Sequence, residues 1–398
     1  MNPGFAYPNE LETQWTLFIV LYPYITGLVA GAFIVSSLYH VFDIKALKPV
    51  ARMSLITALA FLLVAPLTLL LHLGQPLRGI YIFITPQFRS AMAGFGFIWM
   101  FYLILVLAET WLVFRRDIVA YVKSTQGIKK AFYSALALGV YDLSERSLYI
   151  DKKLIKILAA AGIPSAALLH GYVGFIFGAI KANPWWSSPL MPLIFLLSAI
   201  VSGIALLIVI YVVISKIRKQ PVDHACVDTM VQWLAGFLVV DLAFEGLEVI
   251  SMLYESEDSW EIISLLITQK LRVSFLMVQL GFGSLLPLIV LLAAHSVRLR
   301  AGTRTAISFG GAFMILMGVL AMRWNVVIGG QLFSKSLAGL LSYTPPLMGQ
   351  EGVLAAASFL ALPLAILAAL FYVLPPWKEV VEGEAQPAIA ARQRRRFG

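Results

Sequence analysis

Runs of about 20 mostly apolar residues recur along the whole chain, and they limit the fold more than any other feature. A helix needs about 20 such residues to cross ~30 Å of hydrocarbon. Only 13% of the residues are charged, against roughly a quarter in soluble domains. The sequence therefore predicts an all-α polytopic membrane protein with nine spans, at 15–40, 52–73, 91–115, 153–180, 188–215, 226–254, 270–296, 303–323 and 351–374.

The basic residues predict the orientation, because Lys and Arg resist transfer across the membrane. With the N-terminus outside, the inward loops and the C-terminal tail hold 23 of the 30 basic residues. The acidic loop YESEDSWE (254–261) then lies outside and the tail RQRRRFG inside. We expect an N-out, C-in protein of the cell inner (cytoplasmic) membrane. Its net charge of +9 reflects this topology and contact with anionic lipid, not binding to nucleic acid.

The N-terminal stretch MNPGFAYPNELETQW has no basic region and no cleavage site before the first apolar run. It is expected to remain as a short outside tail.

The nine spans divide into two predicted four-helix bundles, 15–180 and 188–323. An outer segment with the final helix (324–374) and a basic cytoplasmic tail (375–398) follow. ITGLVAGAFIV in the first span and VSGIALLIVIYVV in the fifth share a core of small residues, which favours an internal repeat. Small residues also let two helix backbones approach closely, so that explanation stays open.

Two outward connections differ from ordinary loops. They are LHLGQPLRGIYIFITPQFRSAMAGFGFIW (71–99) and RWNVVIGGQLFSKSLAGLLSYTPP (323–346). Both mix Gly, Pro, Arg and apolar residues over lengths where a solvated loop would be polar. Such backbone at membrane depth must be buried in protein or line a cavity. A structured outer rim is predicted.

The sixth span carries three carboxylates, Asp241, Glu245 and Glu248, in the stretch VVDLAFEGLEVI. Helical spacing puts them on one stripe, with Asp241 near mid-membrane and the others displaced outward by about 6 and 10 Å at ~1.5 Å per residue. A charged carboxylate in a membrane costs at least a few kcal/mol, so each is expected to face the protein interior. They form either a proton relay or the polar wall of a substrate pocket, unless they are structural partners of Arg272 and Arg323.

Other polar residues inside the predicted spans give further candidates. Glu109 lies near the inner end of the third span, where it would serve a proton path or pair with Arg115. His170, in ALLHGYVGFIFG, would bond a polar ligand in an apolar pocket or a backbone carbonyl in the core. The five histidines lack the spacing that two stacked haems need.

The single cysteine, Cys226, excludes an intrachain disulfide. It also excludes an iron–sulfur cluster held by this chain alone, since such clusters need about four ligands. No metal-ligand cluster is visible in the sequence, and no metal is expected.

Two stretches resemble the signature regions of the NrfD/PsrC family, the quinone-reactive membrane subunits of polysulfide reductase and related complexes. The first, HLGQPLRGIYIFITPQFRSAMAGFGFIW, is similar to the family's Leu-Gly-(Arg/Gln)-Pro at Leu73 to Pro76. The second, HGYVGFIFGAIKANPWWSSPLMPLIFLLSAIVSG (170–203), resembles its Ala-x-Pro-x-Trp cluster. The ninth span and RWNVVIGGQ resemble the longer, HybB/DsrP-like branch.

The resemblance implies a subunit of a quinol-dependent oxidoreductase complex of sulfur-compound metabolism, not catalytic alone. It would exchange electrons between menaquinol or another quinone and a periplasmic, ferredoxin-like iron–sulfur subunit, with further cytochrome and membrane subunits in the complex. It would carry no haem or iron–sulfur cluster of its own, and its turnover could be coupled to proton translocation. The implied quinone pocket lies in the first bundle, near the outer face, and the matching residues here are His72, Arg78, His170 and Tyr172. We add Arg323 and Asn325 at the rim of this pocket.

Two other functions stay open. A secondary transporter or ion-conducting protein also has intramembrane acids, Pro-containing helices and repeats, although no pair of broken half-helices appears at corresponding depths here. A passive membrane anchor for a hydrogenase-like complex would need no quinone site. Quinol-dependent activity distinguishes the three.

Overall fold

The computed structural model describes residues 13–87, 89–254, 259–334, 336–337 and 339–377, and these are almost entirely helical. The long helices are α1 (Leu17–His40), α2 (Lys48–His72), α4 (Ala91–Ser124), α6 (Glu145–Gly178), α7 (Met191–Ile217), α8 (His224–Tyr254), α11 (Ala301–Val327) and α12 (Val353–Val373). The shorter ones are α3 (Tyr81–Ile84), α5 (Gly127–Leu136), α9 (Trp260–Leu265) and α10 (Leu286–Ser296).

The prediction of a polytopic helical membrane protein is confirmed. Eight helices among the described residues are long and apolar enough to cross a membrane, and they coincide with eight of the nine predicted spans. The sixth predicted span forms α8, a continuous helix of 31 residues, but is not among these eight. It packs against α7, α11 and α10.

Helix α1 lies at the centre of the protein, with 94% of its most apolar window buried. It packs against α2, α6, α7 and α11. Gly31 of α1 meets Gly203 of α7, and a methyl group added at Gly203 would lie 2.5 Å from Gly31 Cα. Close approach of two helices is thus a sufficient physical reason for the small residues that the two sequence stretches share.

The seventh predicted span departs from a regular α-helix. Two π-helical segments, Leu266–Lys270 and Arg272–Leu285, precede α10. Gly283 of the second segment packs on Gly318 of α11, and Ser284 Oγ donates a hydrogen bond to the Gln279 carbonyl at 2.9 Å. π-Helices are rare in proteins, and most of them are single-turn bulges within α-helices. Such bulges are often found at functional sites.

The connection between α6 and α7 is buried over the end of α11. Trp185 Nε1 donates to the Asn325 carbonyl at 3.0 Å, and Trp186 Nε1 to the Val326 carbonyl at 2.6 Å. Asn183 Nδ2 donates to the Gly330 carbonyl at 2.7 Å. These hydrogen bonds attach the loop that carries Trp185 and Trp186 to the C-terminal end of α11, and this end helps form the candidate site.

Helix α5 packs on α4, because Trp111 Nε1 donates to the Leu136 carbonyl at 2.8 Å, while Ile128 of α5 is 90% exposed. The rim segment after α2 folds into a 3₁₀ turn (Pro76–Ile80) and α3, with Leu77 exposed. The N-terminal tail to residue 12, the acidic residues 255–258 and the basic tail from 378 lie outside the described residues.

Candidate functional site

A cavity opens between α8, the π-helical segment Arg272–Leu285 and α11. We call it the inner cavity, and its volume is about 60 Å³. Its polar lining consists of Glu245, Glu248, Gln279 and Asn325. Trp185 and Phe275 supply aromatic walls, and the rest of the lining is aliphatic or methionine. Apolar walls with a few polar groups that face each other are typical of small-molecule sites.

Three of these polar side chains form one hydrogen-bonded chain. Gln279 Nε2 donates to Glu245 Oε2 at 3.1 Å, and Asn325 Nδ2 donates to Gln279 Oε1 at 2.8 Å. Gln279 and Asn325 are both buried, and Asn325 Oδ1 has no hydrogen-bond partner among the described residues. An ionised carboxylate can only accept, so the hydrogen bonds run from Asn325 through Gln279 to Glu245 whenever Glu245 is ionised, and the side-chain oxygen Asn325 Oδ1 is then the unused acceptor of the chain.

A second opening, which we call the lateral groove, adjoins the inner cavity on its other side. It lies between α8 and the segment from α9 to Leu280, and its volume is about 410 Å³. Four residues line both spaces: Glu245, Val249, Phe275 and Gln279. They form a thin partition between the inner cavity and the groove.

The three predicted carboxylates of α8 have different surroundings. Glu245 bonds Gln279, whereas Glu248 accepts a hydrogen bond from Ser188 Oγ at 2.5 Å. Asp241 is 5% exposed, and its Oδ1 has no hydrogen-bond partner among the described residues. Spacing alone placed them correctly on one inward stripe, but only Glu245 and Glu248 line the inner cavity.

The arginines proposed to neutralise these acids do not pair with them directly. Arg272 is exposed. Arg323 is buried and donates to Ser198 Oγ at 2.7 Å and to the Phe195 carbonyl at 3.3 Å. Its guanidinium also lies 4.0 Å from the Phe195 ring centroid, and it interacts with Asp241 and Glu245 only through space. Arg323 therefore supplies positive potential near the acids without a hydrogen bond to either of them in the described part of the chain.

The residues proposed for a quinone pocket in the first bundle line neither of the two openings. His72 Nδ1 is 2.9 Å from Glu351 Oε1 in the outer segment, and Arg78 is exposed. His170 is buried, with Nε2 lacking a partner among the described residues, and Tyr172 lies against Gly94 of α4. Asn325, by contrast, lines the inner cavity.

Glu109 is completely buried in α4, and neither carboxylate oxygen has a hydrogen-bond partner among the described residues. The alternative of pairing with Arg115 is not realised, because that guanidinium binds the Asp151 carboxylate, the Asp142 carbonyl and Ser147 Oγ. Glu109 does not line either of the two openings.

Sequence reasoning missed Gln279, the residue that links the acid stripe to α11. Its available signal was a single amide in the apolar run RVSFLMVQLGFGSLL. It also missed Trp185, whose position depends on how the connection between α6 and α7 folds back onto α11.

The family described as "Polysulphide reductase, NrfD" matches residues 8–335. A selenate reductase subunit of Mesobacillus selenatarsenatis is 28% identical over 392 residues, covering 94% of this chain and 89% of that protein. The Hdr-like menaquinol oxidoreductase integral membrane subunit of Archaeoglobus fulgidus is 25% identical, covering 93% of this chain and 88% of that protein. A putative dimethyl sulfoxide reductase membrane subunit of Halobacterium salinarum is 32% identical over 58% of this chain and 50% of that protein.

Proposed function

The chain belongs to the NrfD polysulphide reductase family, and from that premise we propose that it exchanges electrons between a membrane quinol and an iron–sulfur partner subunit. The proposal places quinol binding in the inner cavity. The observation that carries it is the chain from Glu245 through Gln279 to Asn325, set in an otherwise apolar cavity. The name of the Archaeoglobus fulgidus relative, a menaquinol oxidoreductase subunit, supports menaquinol as the substrate.

Oxidation of a quinol to the quinone releases two electrons and two protons. The electrons pass to the partner's cluster, and the protons must pass to protein groups or water. Glu245 is placed to accept one of them, because a positioned carboxylate is an effective general base. Glu248, one turn further along α8, provides a second acceptor, held by Ser188.

The polarity of the site favours the reduced form of the substrate. An ionised Glu245 is an acceptor in the cavity wall, and a quinol hydroxyl is a donor that can bond to it. A quinone presents carbonyl acceptors, which an ionised carboxylate cannot satisfy. Trp185 and Phe275 provide aromatic faces against which a quinol ring packs favourably.

The remaining parts of the proposal concern the assembly. The basic residues support an N-out orientation in the cytoplasmic membrane, with a periplasmic iron–sulfur subunit docked on the outer rim near Leu77 and Glu351. Cytochrome and further membrane subunits, a role in sulfur-compound metabolism and coupling to proton translocation belong to the same proposal. Asp241 and Glu109 are the candidates for moving protons away from the cavity, and Arg323 supplies positive potential near Asp241.

Replacement of Glu245 tests the site. In the complex purified with its partner subunits, Glu245→Gln is expected to lower quinol-dependent turnover by ~10²-fold or more, because an amide cannot accept the proton. Turnover with a reduced viologen dye, which supplies electrons to the partner subunit directly, should stay unchanged.

Glu145→Gln is the matched control, since Glu145 is an exposed carboxylate at the start of α6. Full quinol-dependent activity in Glu245→Gln would refute the assignment of the site. Unchanged activity in all variants of the cavity would instead indicate a passive anchor.

A further inference from the structure

The lateral groove has fewer charged and amide side chains in its lining than the inner cavity. Apart from Glu245 and Gln279 in the partition, its lining is apolar, aromatic or hydroxyl-bearing, including Leu242, Gly246 and Trp260. Two of its lining residues, Ile250 and Leu276, have exposed side chains and lie on predicted membrane spans. An exposed apolar side chain at membrane depth contacts lipid, so the groove opens toward the hydrocarbon.

The groove and the inner cavity meet only at the partition of Glu245, Val249, Phe275 and Gln279. Two members of the partition are apolar and two are polar. An amphiphile with a polar ring and a long apolar chain would fit a polar cavity joined to an apolar groove, with the ring against Glu245 and the chain in the groove. A quinol has this architecture, since its ring carries the hydroxyls and its isoprenoid tail carries no polar atom.

We propose that the lateral groove between α8 and the segment from α9 to Leu280 is the entry path from the lipid and the binding site of the quinol's isoprenoid tail. This inference rests on the proposed quinol site in the inner cavity. Phe275 and Val249 are the side chains that the ring must pass. The π-helical segment carries Phe275 and Gln279, so one element supplies both the apolar and the polar part of the partition.

Gly246 gives a direct way to fill the groove. It lines the groove, and a Cβ atom added there meets no atom within 4 Å. Gly236 lies on the same helix, is exposed, also has open space at its Cβ, and does not line either opening. Gly246→Phe and Gly236→Phe are therefore a matched pair with equal changes in helix composition.

The experiment compares long-chain menaquinol with tail-less menadiol as donors to the assembled complex. Gly246→Phe is expected to raise the KM for long-chain menaquinol by 10-fold or more and to leave menadiol oxidation unchanged. Gly236→Phe should behave as the native complex with both donors. Ser264→Phe, on the opposite wall of the groove, repeats the test if Gly246→Phe assembles poorly.

The other outcomes overturn the entry path. Native kinetics with both donors would mean that the groove holds ordinary lipid. Equal loss with both donors would mean that the substitution damages the headgroup site. Loss of a partner protein on purification of both groove variants would assign the groove to an interface with that partner. Each of these results leaves the Glu245→Gln test intact, so failure of the entry path is distinguishable from failure of the quinol site.

Discussion

The hydrogen-bonded chain across the inner cavity predicts a specific pattern of energetic coupling. Gln279→Met keeps the length of the side chain but removes both of its hydrogen bonds. Glu245 and the buried Asn325 amide then lose their partner at once. A buried polar group left unsatisfied costs ~1–3 kcal/mol, so we expect Gln279→Met, which leaves two such groups, to cost about 2–6 kcal/mol in all.

Asn325→Leu removes the other end of the 2.8 Å bond and leaves Gln279 Oε1 unsatisfied, at ~1–3 kcal/mol. In the double variant this penalty is not incurred, because neither member of the bond is left alone. The combined cost should therefore be smaller than the sum of the two single costs by about 1–2 kcal/mol, within the range for side chains in contact.

Thermal unfolding of the purified chain in detergent, at one fixed scan rate, measures these differences as shifts in apparent Tm. Gln232→Met, which changes an exposed glutamine of α8 that lines neither opening, is the control and should stay within ~0.5 kcal/mol of the native chain. Additive costs for Gln279→Met and Asn325→Leu, within ~0.5 kcal/mol, would refute the bond between the two side chains.

Two further predictions concern the scaffold. Gly203→Ala should lower the apparent Tm at a cost of about 1–3 kcal/mol, because the new methyl group overlaps the α1 backbone. Gly236→Ala, where the added Cβ has open space, should raise the apparent Tm through better helix propensity, and equal melting of the two variants would contradict the close helix crossing. Arg115→Met should cost ~3–5 kcal/mol, since it leaves the Asp151 carboxylate without its buried cation. Limited proteolysis between α5 and α6 would then become faster, and unchanged cleavage would show that Arg115 does not tie this connection to α4.

The apolar runs were enough to predict the spans, because hydrocarbon thickness sets the length of a helix and backbone satisfaction excludes other structures. The 3.6-residue period likewise placed Asp241, Glu245 and Glu248 on one inward stripe. The partners of these acids were not predictable in the same way. Gln279 and Ser188 come from other elements, and their approach depends on the π-helical segment and on the loop between α6 and α7.

The quinone pocket expected in the first bundle stays a prediction, and one contact of its residues shows what the sequence could not predict. His72 and Arg78 lie close in sequence to α2, but where the chain goes after a helix end is decided by tertiary contacts. His72 meets Glu351, which is 279 residues away in sequence. Motif resemblance identified the family from short stretches, whereas the positions of individual side chains required the packing of the outer segment.

The direction of the Glu245–Gln279–Asn325 chain depends on the protonation of Glu245. With Glu245 ionised, Gln279 donates to it, and Asn325 Oδ1 is left as a buried acceptor without a hydrogen-bond partner among the described residues. A proton received by Glu245 turns its carboxyl group into a donor, and each amide would then have to rotate to keep the chain bonded. Proton transfer to Glu245 would therefore reverse both hydrogen bonds of the chain. We propose that Gln279 is a positioning residue, because its amide orients the Glu245 carboxylate before the transfer and accepts a hydrogen bond from it afterwards.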